Sequence, residues 1–363
     1  MRRDSLVYEG HRIAAVVPAF KEEKLIGQVI TTMPDFVDLI VIVDDHSPDR
    51  TSEVAKAVGD PRVTVIRHEK NTGVGGAIVT GHRAALDLGS DINVVMAGDA
   101  QMDPTYLPAL LDPIVHDGYG FAKANRFFST GSYHGMPKYR IFGNIVLSFL
   151  TKFASGYWHI FDPQNGYTAT RRDVLQRMPL EQLAQRYSYE NDVLINLNIL
   201  RVPATDVPIP AVYGNEVSSI KLSRVGPEIS NLLVRGLWRR FLWKYVVHSF
   251  SPVALFVLGG LFLTLFGTAV GIWTIIETLG PPAATAGSVV LAVAPWLLGM
   301  QMLMYALMLD IQESPDRPTA PPSRQTRSGK REIPLLPPLA EVDQEKAAGR
   351  DAVSPAEAAT PDK

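Results

Sequence analysis

Leu39-Ile40-Val41-Ile42-Val43-Asp44-Asp45-His46-Ser47 sets five apolar residues directly against two carboxylates and a turn. A short run that is apolar throughout, rather than at alternate positions, fits a strand covered on both faces. The flanking chain repeats the pattern. Residues 12–18 form a β-branched run ending at proline, and residues 22–33 carry a helical pattern. Downstream, 51–58 reads as a helix capped by Asp49 or Thr51, Val63–Arg67 as a strand, 75–88 as a helix, and 92–96 as a strand running into Asp99. Alternation of strand and helix over the first 210 residues predicts an α/β fold, an open and mostly parallel sheet with helices on both faces. Ligands of such sheets bind beyond the carboxyl ends of the strands. Here that rim carries residues 18–22, Asp44-Asp45 and Asp99-Ala100-Gln101.

The rest of the chain narrows the class. Its 363 residues are 46% hydrophobic and 20% charged, with formal net charge −2 and no cysteine. A chain of this length buries a large core without staples. The missing cysteines exclude a disulfide framework, a thiolate zinc site and a cysteine nucleophile. The near-neutral balance argues against nucleic acid as a partner.

The apolar load is concentrated late. Residues 253–276 carry no charge, Glu277 follows, and 278–309 are uncharged again, with Gly280-Pro281-Pro282 marking a turn. About 20 apolar residues span a bilayer, so the expectation is a transmembrane hairpin near 252–276 and 286–309, against a pair of buried core helices. Arg235, Arg239, Arg240 and Lys244 precede it, and Arg317, Arg324, Arg327, Lys330 and Arg331 follow. The excess of cations on both flanks places both termini and the catalytic domain in the cytoplasm. Residues 229–245 mix Leu, Trp and Phe with four basic side chains and read as an amphipathic interfacial helix. Residues 312–363 hold nine of the 27 prolines and are expected to form a disordered tail.

Several motifs can carry chemistry. Asp44 and Asp45 close a strand and can bind a ribose or a base edge, or cap the helix beyond the turn. The stretch 71–81 (NTGVGGAIVTG) is glycine-rich, but Ile78 fills the third glycine position of a dinucleotide fingerprint, and the lysine and hydroxyl of a P-loop are missing. It is either a helix N-terminus facing a phosphate or a plain tight turn. Asp99, Gln101 and Asp103 follow a buried strand and offer oxygen ligands to Mg²⁺ or Mn²⁺, which also take ligands from substrate phosphates. Arg126, Arg140 and Lys221, among other basic residues, suit phosphate groups or a solvated surface.

Together these stretches resemble the family 2 glycosyltransferases of GT-A fold, in their polyprenyl-phosphate (dolichol-phosphate) sugar synthase branch. Residues 18–23 (PAFKEE) are similar to the first nucleotide-binding motif, usually P-x-Y-N-E. Asp44-Asp45-His46-Ser47 resembles D-D-x-S, 71–81 the glycine-rich helix start, Ala97-Gly98-Asp99-Ala100-Gln101 the D-x-D-x-Q motif, and 162–167 (DPQNGY) the D-P-x-x-G-[YF] segment. Residues 213–221 resemble the stretch before the membrane anchor. The sequence departs at Ala97, where the first aspartate of D-x-D-x-Q is expected, and at Phe20-Lys21.

The resemblance implies a membrane-bound, inverting transfer of a sugar from a UDP- or GDP-sugar to a polyprenyl phosphate. It implies that Pro18, Ala19, Glu22, Asp44, Asp45, Ala97, Asp99 and Gln101 surround the nucleotide sugar. Asp99 and Gln101 would hold the Mg²⁺ or Mn²⁺, and Arg126, Arg140 and Lys221 would face the diphosphate or the acceptor phosphate. Asp99, Arg126 and Asp192 form the expected catalytic set, Glu190 and Asp192 lying where other members carry an acidic residue. Tetramers through membrane helices occur in this branch, so a homo-oligomer is within expectation. The domains expected are a GT-A catalytic domain over 1–228, an interfacial helix over 229–248, two transmembrane helices over 249–311, and the tail. The alternatives are a family 2 enzyme with a glycolipid or polysaccharide hydroxyl acceptor, which needs a base, and a catalytically lapsed membrane scaffold.

Overall fold

A computed structural model of the chain describes residues 8–128, 138–210, 222–280 and 284–318. Among the described residues, seven strands form one sheet in the order β3-β2-β1-β4-β6-β5-β7. They are β1 (Ile13–Ala19), β2 (Val37–Asp44), β3 (Val63–Arg67), β4 (Ile92–Val95), β5 (Phe121–Asn125), β6 (Thr168–Arg171) and β7 (Ala204–Pro208). The sheet is mixed. Strand β6 runs antiparallel to both β4 and β5, and the other four pairings are parallel.

The central strands are buried on both faces, as the unbroken apolar run at 39–43 requires. Ile13, Ala15 and Val17 of β1 and Ile40 and Ile42 of β2 pack with α1 (Ile26–Thr31), α2 (Thr51–Ala57) and α4 (Leu107–His116). The alternate residues Ala14, Val16, Leu39, Val41 and Val43 pack with Ala77 and Ala85 of α3 (Val74–Asp87). On the β5 side, α6 (Arg172–Arg177) and α7 (Tyr189–Ile199) add Val174, Leu175, Leu194 and Leu197 to a third cluster with Phe121. Side chains alternate across a strand, so burying both parities demands helices on both sides. Helix α2 starts after Arg50 without a side-chain cap, and Asp49 instead accepts from the Thr51 hydroxyl and N–H.

Beyond the sheet lie α5 (Lys138–Ser155), α8 (Leu222–Arg240), a π-helical segment (Phe241–Val247), α9 (Pro252–Thr278) and α10 (Ala286–Gln312). Helices α9 and α10 are both long and apolar enough to cross a membrane, with mean hydropathy 2.3 and 1.7 over their most apolar windows. Only 22% and 17% of those windows are buried, which fits lipid-facing helices better than core helices. Where they touch, small residues bring the backbones together: a Cβ on Gly299 would stand 2.6 Å from the Thr264 nitrogen, and one on Gly267 would stand 2.7 Å from the Ala292 carbonyl.

Two boundaries differ from expectation. Helix α8 begins at Leu222 rather than at 229. The start of the expected tail is docked: the Pro315 carbonyl accepts from Ala204 N at 3.2 Å. That N–H sits on an edge strand, where a backbone donor takes whatever acceptor covers it. From residue 319 the tail lies outside the described residues.

Candidate active site

The carboxyl ends of β2, β1 and β4 lie side by side because β1 pairs with both others and its register sets Ala19 opposite Asp44. The loops leaving them are stitched together. Asp45 N donates to the Ala19 carbonyl and Gly98 N to the Pro18 carbonyl. Lys21 N donates to Ser47 Oγ, Glu22 N to Thr51 Oγ1 and Glu23 N to Asp49 Oδ2. Each loop also holds a non-glycine residue in the left-handed region: Lys21 (φ 65°), His46 (φ 61°) and Ala100 (φ 57°). Such conformations cost on the order of 1 kcal/mol each and cluster at functional sites. A Cβ on Gly98 would stand 3.3 Å from Glu22 Cγ, so the first and fourth motifs touch.

Both aspartates of the second motif are buried and engaged. Asp44 accepts from Ser47 N at 2.7 Å and from the Ser52 hydroxyl. Asp45 accepts from Thr72 N, the Thr72 hydroxyl and Gly73 N at 2.7–2.9 Å, and His68 Nδ1 lies 2.8 Å away. Burial pushes the Asp45 carboxyl up, but these hydrogen bonds outweigh it and hold it below the usual range. Each carboxylate thus works on the protein's own loops.

The glycine-rich stretch resolves into a close-packed turn. Gly73 (φ 92°) caps α3, and Gly76 N donates to the Gln185 carbonyl at 3.1 Å. A Cβ on Gly75 would stand 2.4 Å from the Ala184 carbonyl oxygen and 2.8 Å from Tyr189 Cβ. The glycines admit another backbone segment to this helix start.

Asp99 and Gln101 are partly exposed at the end of β4, and Asp99 Oδ1 accepts from Gln101 N at 3.1 Å. Ala97 adds no side-chain ligand; its N–H points to Met102 Sδ. Among the described residues no group of three His, Asp or Glu side chains is placed to hold a metal.

The fifth motif closes the site from the other side. Arg126 grips Asp162 with Nε and Nη2 at 2.8 and 3.1 Å, and its backbone N donates to the same carboxylate. Asp162 is fully buried, whereas Arg126 remains a third exposed. Lys123 Nζ reaches the Asn165 carbonyl, Gln164 bonds Asn191 on α7, and the Tyr167 hydroxyl donates to the Asp103 carbonyl. Burial lowers the Lys123 pKa against the opposing pull of Glu190, Asp162 and Asp206. Burial raises that of Glu190, with Lys123 and Arg126 pulling it back. Asp206 is pushed up to about 6 by burial, and its Oδ2 accepts from Phe161 N and Asn125.

Asp192 faces away from this group. It is buried and accepts from Ala184 N, the Asn196 amide and Arg239. Arg240 and Lys244 are also buried, and Arg239 pairs with Asp192 while staying a third exposed, so three of the four cations preceding α9 are engaged by protein groups. Much of the exposed face of this region is apolar: Val234, Trp238, Leu242, Trp243, Val247 and Phe250. Helix α5, which sequence reasoning passed over, exposes Ile145, Val146, Phe149, Leu150 and Phe153, and Phe161 is exposed beside the Asp162–Arg126 pair. The i, i+4, i+8 spacing of Ile145, Phe149 and Phe153 is the signal that could have revealed it. The Arg140 side chain, Lys221 and residues 213–221 lie outside what is described.

Residues 14–178 match the family model described as glycosyl transferase family 2. The UDP-N-acetylglucosamine--dolichyl-phosphate N-acetylglucosaminyltransferase of Methanococcus voltae is 31% identical over 225 residues, covering 58% of this chain and 87% of its own. The dolichol-phosphate mannosyltransferase of Pyrococcus furiosus is 26% identical over 273 residues, covering 70% and 72%. The undecaprenyl-phosphate mannosyltransferase of Micrococcus luteus is 27% identical over 237 residues, covering 63% and 96%.

Proposed function

The chain belongs to glycosyl transferase family 2, and on that premise we propose that it moves a sugar from a nucleoside diphosphate to a polyprenyl phosphate at the cytoplasmic face of a membrane. The relatives named above carry prenyl-phosphate acceptors in their names. One observation carries the reading to this chain: the Arg126–Asp162 fork adjoins Phe161, which is exposed, as are Ile145, Phe149 and Phe153 of α5, Val234 and Trp238 of α8, and most of the candidate membrane hairpin. A phosphate on a lipid tail needs that pairing of cation and apolar surface.

The donor lies over the carboxyl ends of β1, β2 and β4. Pro18, Ala19 and Glu22 border the nucleoside with Ala97, while Asp44 and Asp45 hold the surrounding loops in shape. Asp99 and Gln101 would hold Mg²⁺ or Mn²⁺. One carboxylate and one amide fit a cation that brings its remaining ligands on the diphosphate and water. When bound, it supplies charge neutralisation to the departing nucleoside diphosphate. Arg126, oriented by Asp162, faces the phosphates, the role the resemblance also gives to Arg140 and Lys221.

The acceptor phosphate carries close to two negative charges at neutral pH, its second pKa being about 6. A phosphate oxygen forms the new bond to the anomeric carbon as the bond to the diphosphate oxygen breaks, so the configuration inverts. No proton has to leave the nucleophile, so no base is required. Engagement of the Asp192 carboxylate with Arg239 supports this reading over a hydroxyl acceptor, for which Asp192 was the expected base. Glu190 faces the sugar.

The test is transfer of radiolabel from UDP- and GDP-sugars into membrane lipid, with and without EDTA, beside Asp99→Ala. An acid-labile, organic-soluble product lost with EDTA and in Asp99→Ala is expected. A well-folded protein that labels no lipid from any donor would sink the proposal.

A further inference from the structure

Arg239 and Arg240 are consecutive on α8, yet they hold different parts of the molecule. Arg239 pairs with Asp192 in the first turn of α7, two residues from Glu190. Arg240 is 3% exposed and forks onto Asp310, near the end of α10, at 2.5 and 3.1 Å. Its remaining donors reach the Ala154 and Phe153 carbonyls at the end of α5. The Tyr245 hydroxyl donates to the same Asp310, and Lys244 Nζ joins Asn198 of α7 to the Glu313 carbonyl. Gly156 leaves room for the guanidinium: a Cβ there would stand 2.4 Å from Arg240 Nη1. Burying a guanidinium and a carboxylate is costly unless they are paired, so the Arg240–Asp310 contact ties the ends of α5 and α10 to α8.

We propose that the Arg240–Asp310 contact is a positioning device that sets the membrane hairpin in one orientation against the catalytic domain, so that an acceptor phosphate held in a bilayer meets the sugar site. This rests on the reading of the site as a prenyl-phosphate transferase. Asp310 sits at the end of α10 and is held by Arg240 and Tyr245. It acts through Arg240 and α8, the helix that also anchors α7. An acceptor free in solution approaches without regard to the hairpin, so the contact matters to the lipid-borne acceptor alone.

The experiment uses the full chain reconstituted in vesicles of phosphatidylethanolamine and phosphatidylglycerol. Transfer to a long-chain polyprenyl phosphate in the bilayer is compared with transfer to a short, water-soluble prenyl phosphate. Asp310→Asn should lower kcat/KM for the bilayer acceptor roughly 10- to 100-fold, the scale of an ångström-sized misplacement. It should leave the soluble acceptor and the KM for the nucleotide sugar within about twofold, and Asp310→Glu should recover part of the loss. Tyr245→Phe removes only one hydrogen bond and should show a smaller split in the same direction, which covers failure of Asp310→Asn to fold. Equal loss on both acceptors, or none, overturns the proposal. The chain has no cysteine, so nitroxide labels at Glu69 and Leu279, both exposed, also report the orientation directly. Their distance distribution should broaden in Asp310→Asn, and an unchanged distribution refutes the positioning role even if wild type transfers to no prenyl phosphate. That last outcome by itself refutes the proposed function, not the joint.

Discussion

Gly75→Ala adds one methyl group at the second residue of α3, where it would stand 2.4 Å from the Ala184 carbonyl oxygen, 2.8 Å from Tyr189 Cβ and 2.9 Å from the Gln185 carbonyl carbon. Ordinary contact begins near 3.4 Å, so the segment 184–189 must retreat by about 1 Å. Two of the three obstructing atoms are backbone, so a side-chain rotation does not relieve them. Alanine contributes up to about 1 kcal/mol of helix propensity. Overpacking costs about 1–3 kcal/mol, and weakening the bond from Gly76 N to the Gln185 carbonyl costs about 1 more. The net is a destabilisation of about 1–3 kcal/mol, and each kcal/mol lowers the thermal midpoint by about 2–4 °C in a domain of this size. Activity should suffer more, because the displaced segment leads into α7, whose second residue is Glu190. If Glu190 faces the sugar as proposed, a shift of 1 Å there costs on the order of 100-fold in turnover. The assay is thermal unfolding in detergent beside steady-state transfer. Gly27→Ala on α1, whose Cβ would find only Val54 Cγ1 at 3.8 Å, serves as control and should be neutral or slightly stabilising. If Gly75→Ala matches wild type in both measurements, the glycine-rich stretch does not owe its glycines to this contact.

The pH dependence of stability should carry the mark of Asp206. Its folded pKa of about 6 lies above the ordinary 3.8, so the native state keeps a proton that the unfolded chain has released. Stability therefore falls as pH rises from about 4 to about 6, by about 3 kcal/mol if the shift is fully expressed. Asp206→Asn should flatten that slope in denaturant titrations, and a variant less stable than wild type at pH 8 would contradict it. Asp162→Asn removes the charged half of the Arg126 fork. Because Arg126 is partly exposed the stability loss should be about 2 kcal/mol, between surface and buried pairs, with KM for the acceptor rising; calorimetry and acceptor titration check both. Asp99→Ala should lower transfer at least about 100-fold and abolish any response to added Mn²⁺. Retention of a metal-dependent rate would relocate the cation site.

Much of the site is legible because its parts are local. A buried strand must end where the chain meets water, so polar residues following β1, β2 and β4 identify a rim without knowledge of any contact. The hairpin is legible for the same reason: length and lack of charge are properties of a segment. What escaped reading depends on partners far along the chain. The glycines at 73–76 read as a phosphate-facing helix start or a tight turn, and the packing of residues 184–189 against them lies beyond a local reading. Asp192 reads as a member of the catalytic set, and its contact with Arg239, 47 residues on, is invisible to a local reading. The cations before α9 look like a headgroup-facing set until Asp310 and Asn198 claim two of them.

Sequence alone determined the alternation of elements, the order of the site motifs and the two long apolar helices, because hydrophobic period, strand-end polarity and segment length are each set within about 20 residues. Tertiary structure alone decided which charged groups are engaged by the protein's own donors and acceptors and which are left partly exposed at the rim. A carboxylate or guanidinium behaves as a site or as a strut according to the donors and acceptors that burial brings to it, and those arrive from near and far along the chain, 8 residues away for Asp44 and Ser52 and 70 for Arg240 and Asp310.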